Sequence, residues 1–192
     1  MTGKLKVPAL VVLLVLTAWL SYAVKRETKI ELLERLRVGD LAPDFTLGDL
    51  EDKRVSLTDH QTQVVVLNFW TTTCARRELG MALLDSFLQK QGGVGVVVLS
   101  INAHERPETV RRALGNDSEH QYRVLLDSDG RTSDAYGLKY VPTLVMVDQQ
   151  GRIAWIAQGY SPDLAGELAR QLDALGVSPT KERKGSNGGH SD

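Results

Sequence analysis

Long apolar runs alternate along the chain with shorter polar stretches, and the period within each run indicates its element. "VVVLNFW" (64–70) is a continuous β-branched and aromatic run, which predicts a strand buried on both faces and central in a sheet. From Ala75 to about Gln89 the spacing changes: Leu79, Leu83 and Phe87, with Leu84 and Leu88, predict one apolar helix face ending before Gly92 and Gly93. "VGVVVLSI" (94–101) predicts a second buried strand, and "PETVRRALG" (107–115) a helix with Pro107 in its first turn and Gly115 beyond its end. "YRVLLD" (122–127) predicts a third, short strand that leads into the turn "DSDG" and a helical piece near Ser133 to Tyr136. "VPTLVMVD" and "RIAWIA", joined by "QQG", predict a hairpin. A last helix is predicted after Ser161 as N-cap, with Pro162 at its first position and its end before Gly176.

Upstream, turn residues in "GDLAPDFTLGDLEDKRVSLTD" separate short strand-like pieces, the pattern of an N-terminal β-hairpin. Alternating strands and helices, closed by a hairpin and a helix, define an α/β fold: a mixed β-sheet flanked by helices on both faces. Ahead of it, Val7 through Val24 carry no charge. Eighteen helical residues reach roughly 27 Å, close to the hydrocarbon thickness of a bilayer, so 7–24 is predicted as an N-terminal transmembrane helix behind a short tail, 1–6. A cleaved signal peptide is the competing reading, because Ser21 and Ala23, flanking Tyr22, put small residues at the positions a signal peptidase reads. Lys4 and Lys6 on one side face Lys25, Arg26 and Lys29 on the other, so charge does not set the orientation. Ile30, Leu33 and Leu36 recur among charges over 25–37, as on a juxtamembrane helical spacer. The folded domain is expected over 38–176, and 177–192 lacks the apolar content to fold, so a disordered tail is expected there.

Composition narrows the function classes. The 192 residues suit one domain plus appendages, and 42% hydrophobic with 24% charged residues is a globular balance. A net charge of −1 without a basic stripe argues against nucleic acid as a partner. His60, His104, His120 and His190 lack metal-ligand spacing; surface histidines and no metal site are expected. "DSDG" (127–130) matches the start of a calcium loop, but position 138 is Leu where the ligating glutamate belongs, so a turn is the better reading. Cys74 is the only cysteine, which excludes a disulfide within the chain and leaves an intermolecular partner or a reactive thiol. Its place between strand and helix exposes it to unpaired N–H groups and the positive end of the helix dipole, both of which favour thiolate. Arg76 and Arg77 follow as candidate thiolate-stabilising charges.

The order "APDFTL", "VVLNFWTTTC", "YGLKYVPTLVMVDQQGRI" resembles the membrane-anchored thioredoxin-like proteins of the TlpA and ResA type, within the redoxin group, over residues 38–176. The resemblance implies a thioredoxin-like fold on the extracytoplasmic side, single-pass anchored. It also implies partners that are cysteine-containing proteins or an external reducing thiol, and no dissociable cofactor. In that family the proline of "VPT" is cis and packs beside the active-site cysteine, which implies a substrate groove near Cys74 shaped by Trp70, Val141, Pro142 and Thr143. The family motif places a second cysteine three residues after the first. Here Arg77 stands in that position, Thr73 replaces the tryptophan before the first cysteine, and Gly80 and Ala82 hold the places of a glutamate and a proline.

With Cys74 as sole nucleophile, a mixed disulfide can form with a partner, but its release needs an outside thiol. Two other readings stay open. One is a single-cysteine peroxidase of the peroxiredoxin kind, for which Thr71 matches the motif and Leu67, at the proline position, does not. The other is a non-catalytic binding module that grips an extended peptide in the same groove, with Cys74 as a packing residue.

Overall fold

The computed structural model describes residues 13, 15–22, 36–92, 95–115 and 120–177. The chain divides into two units, Met1–Leu36 and Arg37–Asp192. In the first, Leu13 and 15–22 are helical and exposed. Among the described residues no helix is long and apolar enough to cross a membrane. The rest of the segment expected to be an anchor (7–24), most of the spacer (25–37), residues 178–192 and His190 lie outside the described residues.

The second unit is built on one seven-stranded sheet: β1 (Thr46–Asp49), β2 (Arg54–Ser56), β3 (Val64–Trp70), β4 (Val96–Ala103), β5 (Arg123–Asp127), β6 (Thr143–Val147) and β7 (Ile153–Gln158), in the order β2-β1-β5-β4-β3-β6-β7. All seven residues of β3 are buried, as its unbroken apolar run predicts. It pairs parallel with β4 and antiparallel with β6, so the sheet is mixed. The expected N-terminal hairpin is β1–β2, which extends the sheet beyond β5.

Successive β3 side chains point to opposite faces and meet different covers. Val64, Val66 and Trp70 join α1 (Arg77–Gln91), α2 (Pro107–Leu114) and α4 (Leu164–Ala174) in one apolar cluster. On the other face Phe69 meets Tyr136, just past the short helix α3 (Arg131–Ala135), and Tyr136 in turn meets Phe45. Asp127 is fully buried and caps α3, accepting from the Thr132 and Ser133 amides and the Ser133 hydroxyl; "DSDG" is thus a turn.

Four details differ from the sequence expectation. The buried face of α1 is Gly80, Met81, Leu84, Phe87, Leu88 and Gln91, whereas Leu79 is 46% exposed. The stripe is rotated because α1 starts at Arg77 and presents Gly80 to the ring of Tyr160, a contact that a larger residue forbids. The N-cap of α4 is Asp163; Ser161 instead bonds Glu167 through its hydroxyl. Val177, assigned to the tail, is buried in the core, its amide bonded to Leu172 O. His120 is not a surface histidine: it stacks on Tyr122 with Nδ1 2.7 Å from Asp85 Oδ2.

A Cβ added at Gly80 falls 2.1 Å from the Tyr160 ring, which cannot swing away because it is buried and hydrogen-bonded. Gly80→Ala is therefore expected to cost about 1–3 kcal/mol, the range for overpacking a core. A urea titration checks this, and an unchanged midpoint would contradict the packing described.

Candidate functional site

Strands β3 and β4 run parallel and pair in register up to Trp70 and Asn102. The loops that follow them therefore leave the sheet side by side at its carboxyl edge, where α/β proteins usually place their sites. Beyond β3 the chain makes two tight turns: the Cys74 amide donates to Thr71 O at 3.1 Å, and the Arg77 amide donates to Cys74 O at 3.0 Å. These turns delay the helix, so Cys74 sits three residues ahead of Arg77, its first residue, with Arg76 as the N-cap. Cys74 is half-buried and its side chain packs on the core cluster. Its Sγ lies 3.4 Å from Thr71 Oγ1, which is itself 3.1 Å from Thr73 Oγ1.

The two arginines occupy different settings. Arg76 is exposed, whereas the Arg77 side chain is only 16% exposed, its Nη1 donating to Thr72 O at 3.4 Å and its Nη2 3.3 Å from Glu78 Oε1. On the far side, the Val141–Pro142 bond is cis, the isomer the resemblance implies. Phe69 pairs with Thr143, so Pro142 falls level with Trp70, the last residue of β3, and Val141 beyond it, at the cysteine end of the sheet. Trp70 and Thr143 are buried, at 0% and 3% exposure; what faces solvent at this edge is Tyr140, with Val141 and Pro142 half-covered.

Sequence reasoning missed two sets of residues. Beneath the loop, the Tyr160 hydroxyl donates to Asn68 Oδ1 at 2.9 Å and Asn68 Nδ2 donates to Ser100 Oγ at 3.0 Å. All three residues are buried. Beside the loop, Glu105 accepts from the Thr72 amide and hydroxyl, each at 2.6 Å, and from Asn102 Nδ2 at 2.7 Å. The polar Asn68 inside an apolar strand was a legible signal; Glu105 had none without the β3–β4 register. Among the described residues, no group of three or more His, Cys, Asp or Glu is arranged to hold a metal.

A sheet of this topology with a cysteine at the β3–α1 turn beside a cis-proline loop defines a thioredoxin-like protein. The Redoxin family profile matches residues 37–172, and the chain belongs to that family. It is 31% identical over 149 residues to the thiol-disulfide oxidoreductase ResA of Geobacillus thermodenitrificans, covering 78% of this chain and 84% of that one. ResA of Bacillus anthracis is 29% identical over 120 residues, 62% of this chain and 69% of that one. Among solved structures, a thiol:disulfide interchange protein DsbE of Chlorobium tepidum, itself assigned provisionally, superposes with a TM-score of 0.68 at 27% identity. That match covers 73% of this chain and 99% of that one.

Burial, foremost, holds the Tyr160 proton on well above the usual phenol value, and the bond its hydroxyl donates to Asn68 Oδ1 belongs to the protonated form. Burial, foremost, does the same to Tyr122 and Tyr136. Unfolded tyrosines titrate near about pH 10, so above that value the folded state holds more protons than the unfolded one. This contribution is full below about pH 10 and is lost as pH rises further. Urea midpoints measured across alkaline pH are expected to fall above about pH 10, and to fall less steeply in Tyr160→Phe. At neutral pH that variant is expected to lose about 1–3 kcal/mol, because Asn68 Oδ1 loses its donor.

Proposed function

We propose that this protein is a thiol–disulfide oxidoreductase that works through Cys74 alone on cysteine-containing protein partners. The observation that carries the reading is the half-buried, hydrogen-bonded thiol at the β3–α1 turn of a redoxin-family domain, in a chain with no other cysteine. The names of its relatives support the activity class. The Cys74 thiolate attacks one sulfur of a partner's disulfide; that S–S bond breaks as the mixed disulfide forms, and the other partner sulfur leaves as thiolate. A second thiol, the partner's own or an external reducing thiol, then attacks the mixed disulfide and returns Cys74 as thiolate. When the second thiol is external, the partner ends reduced and the external thiol oxidised. Arg76 and Arg77 lend positive charge to the thiolate in this reading, and Val141 and Pro142 flank the incoming chain, with Trp70 and Thr143 supporting them from below.

Intact-mass analysis after exposure to a disulfide-linked peptide tests it. A persistent mixed disulfide is expected on the unsubstituted chain and none on Cys74→Ser. Position 77 lies one tight turn from Cys74, within the Cα separation that a disulfide bridges, so Arg77→Cys is expected to resolve the adduct internally. No adduct on the unsubstituted chain would sink the oxidoreductase reading in favour of a binding module.

The Thr71–Cys74 contact favours a second reading, a peroxidase in which the thiolate attacks a peroxide oxygen, giving sulfenate and water or alcohol. Faster consumption of hydrogen peroxide than of the disulfide peptide at equal thiol would establish it.

The uncharged run Val7–Val24 supports a single-pass anchor, and the likeness to the TlpA and ResA type supports a folded domain outside the cytoplasm. Retention in the membrane fraction at full mass, with the domain open to protease added from outside, is expected; a soluble, shortened chain would instead identify a cleaved signal.

A further inference from the structure

We propose that Glu105 is the positioning residue of the Cys74 loop, acting through Thr72; as a deepening of the oxidoreductase reading, its catalytic consequence rests on that reading. Thr72 is held from two sides. Its amide and hydroxyl both donate to the Glu105 carboxylate, and its carbonyl accepts from Arg77. The hydrogen bonds that Thr71, Thr73 and Cys74 make run within the loop or to its own helix, whereas those to Glu105 tie the loop to a neighbouring strand connection. Hydrogen bonds to a charged acceptor are about twice as strong as neutral ones, and two of them converge here on one residue.

The connection that delivers Glu105 is built for the purpose. His104 takes a left-handed backbone (φ 60°), which few residues other than glycine adopt. It is locked there by its amide bond to Asp127 O and by its ring, which occupies the space that a Cβ on Gly130 would need. Asn102, fully buried at the end of β4, donates a third bond to Glu105 Oε2 and fixes the carboxylate from beneath. The direction of Glu105 is therefore set by the sheet and not by the loop it holds.

This arrangement matters because Arg77 stands where the family motif places the second cysteine. A loop with one cysteine has no internal disulfide to tie it in any redox state, and Thr71, the thiol's hydrogen-bond partner, directly precedes the clamped residue. Glu105 supplies the tie that keeps the Thr71 hydroxyl and the Cys74 thiol in one geometry.

Hydrogen exchange of the 70–76 segment in the full chain, read beside the rate of mixed-disulfide formation at Cys74, tests the proposal. In Glu105→Ala the Thr72 amide is expected to exchange at least about tenfold faster while β3 amides hold, and the thiol reaction to slow about tenfold or more. Glu105→Gln keeps an acceptor for the amide without the charge and is expected to restore both readouts to within about threefold. Thr72→Val, which retains the backbone bond, is expected to give an intermediate rate and covers the case in which Glu105→Ala fails to fold. Unchanged exchange in Glu105→Ala would overturn the proposal, as would a Gln variant that behaves like Ala, since that outcome assigns the effect to charge and not to position. A thiol that is inert in the unsubstituted chain would instead defeat the oxidoreductase reading, and the exchange arm still decides whether Glu105 holds the loop.

Discussion

The register of β3 between β4 and β6 decides where every group around Cys74 falls. Trp70 opposite Asn102 puts the two outgoing loops abreast, and Phe69 opposite Thr143 brings the cis-proline connection to the same edge. A slip of one residue on either side would turn Asn68 away from Tyr160 and Ser100 and carry its amide toward the Phe69–Tyr136 face. The register is protected because all seven residues of β3 are buried and both of its faces are covered by different partners. A chain that met only the demand for apolar residues there could shift; the buried Asn68 cannot shift without losing both of its bonds.

Replacing the second cysteine by Arg77 changes more than the redox count. A guanidinium stays charged at any physiological pH, and this one is largely enclosed beside the loop, bonded to Thr72 O and paired with Glu78. Its Nε is buried without a hydrogen-bond partner among the described residues, so part of its desolvation goes uncompensated. In a dithiol protein the corresponding group forms and breaks a covalent bond during turnover. Here the position carries a fixed charge, and on the proposed reading Cys74 alone takes the exchange as far as a mixed disulfide, which a thiol from outside the loop must release.

The centre of the sheet was legible in the sequence because β3, β4 and β6 bury nearly every position. The runs at 64–70 and 143–147 survive as β3 and β6 almost unchanged, since a continuous apolar stretch between turn residues has few alternatives. Helix α1 was legible in extent but not in orientation: two tight turns after β3, one ending and one beginning at Cys74, delay its start, and the fit of Gly80 against Tyr160, distant in sequence, rotates its face. Cys74 and Pro142 could be singled out by residue type and motif. Glu105 and Tyr160 could not, because each acts through a contact fixed by tertiary register, and a glutamate after a strand reads as solvated surface until its partner is known.

The placement of polar groups around the thiol has a common physical logic. Asn68 and Ser100 are held within the sheet and Tyr160 against it, and Glu105 is oriented by Asn102 at the end of β4 and by the left-handed His104. Each sits on the rigid side of its contact, while Thr71, Thr72 and Cys74 sit on the loop. A reactive group on a loop gains a defined geometry only if the scaffold supplies the partners, since ordering a loop residue costs about 1–2 kcal/mol of backbone entropy. Here the scaffold supplies a carboxylate for the loop's backbone and a buried amide–phenol pair beneath its thiol. The absence of a second cysteine therefore does not by itself imply a loosened site: Thr72 is tied to the scaffold by its two bonds to Glu105.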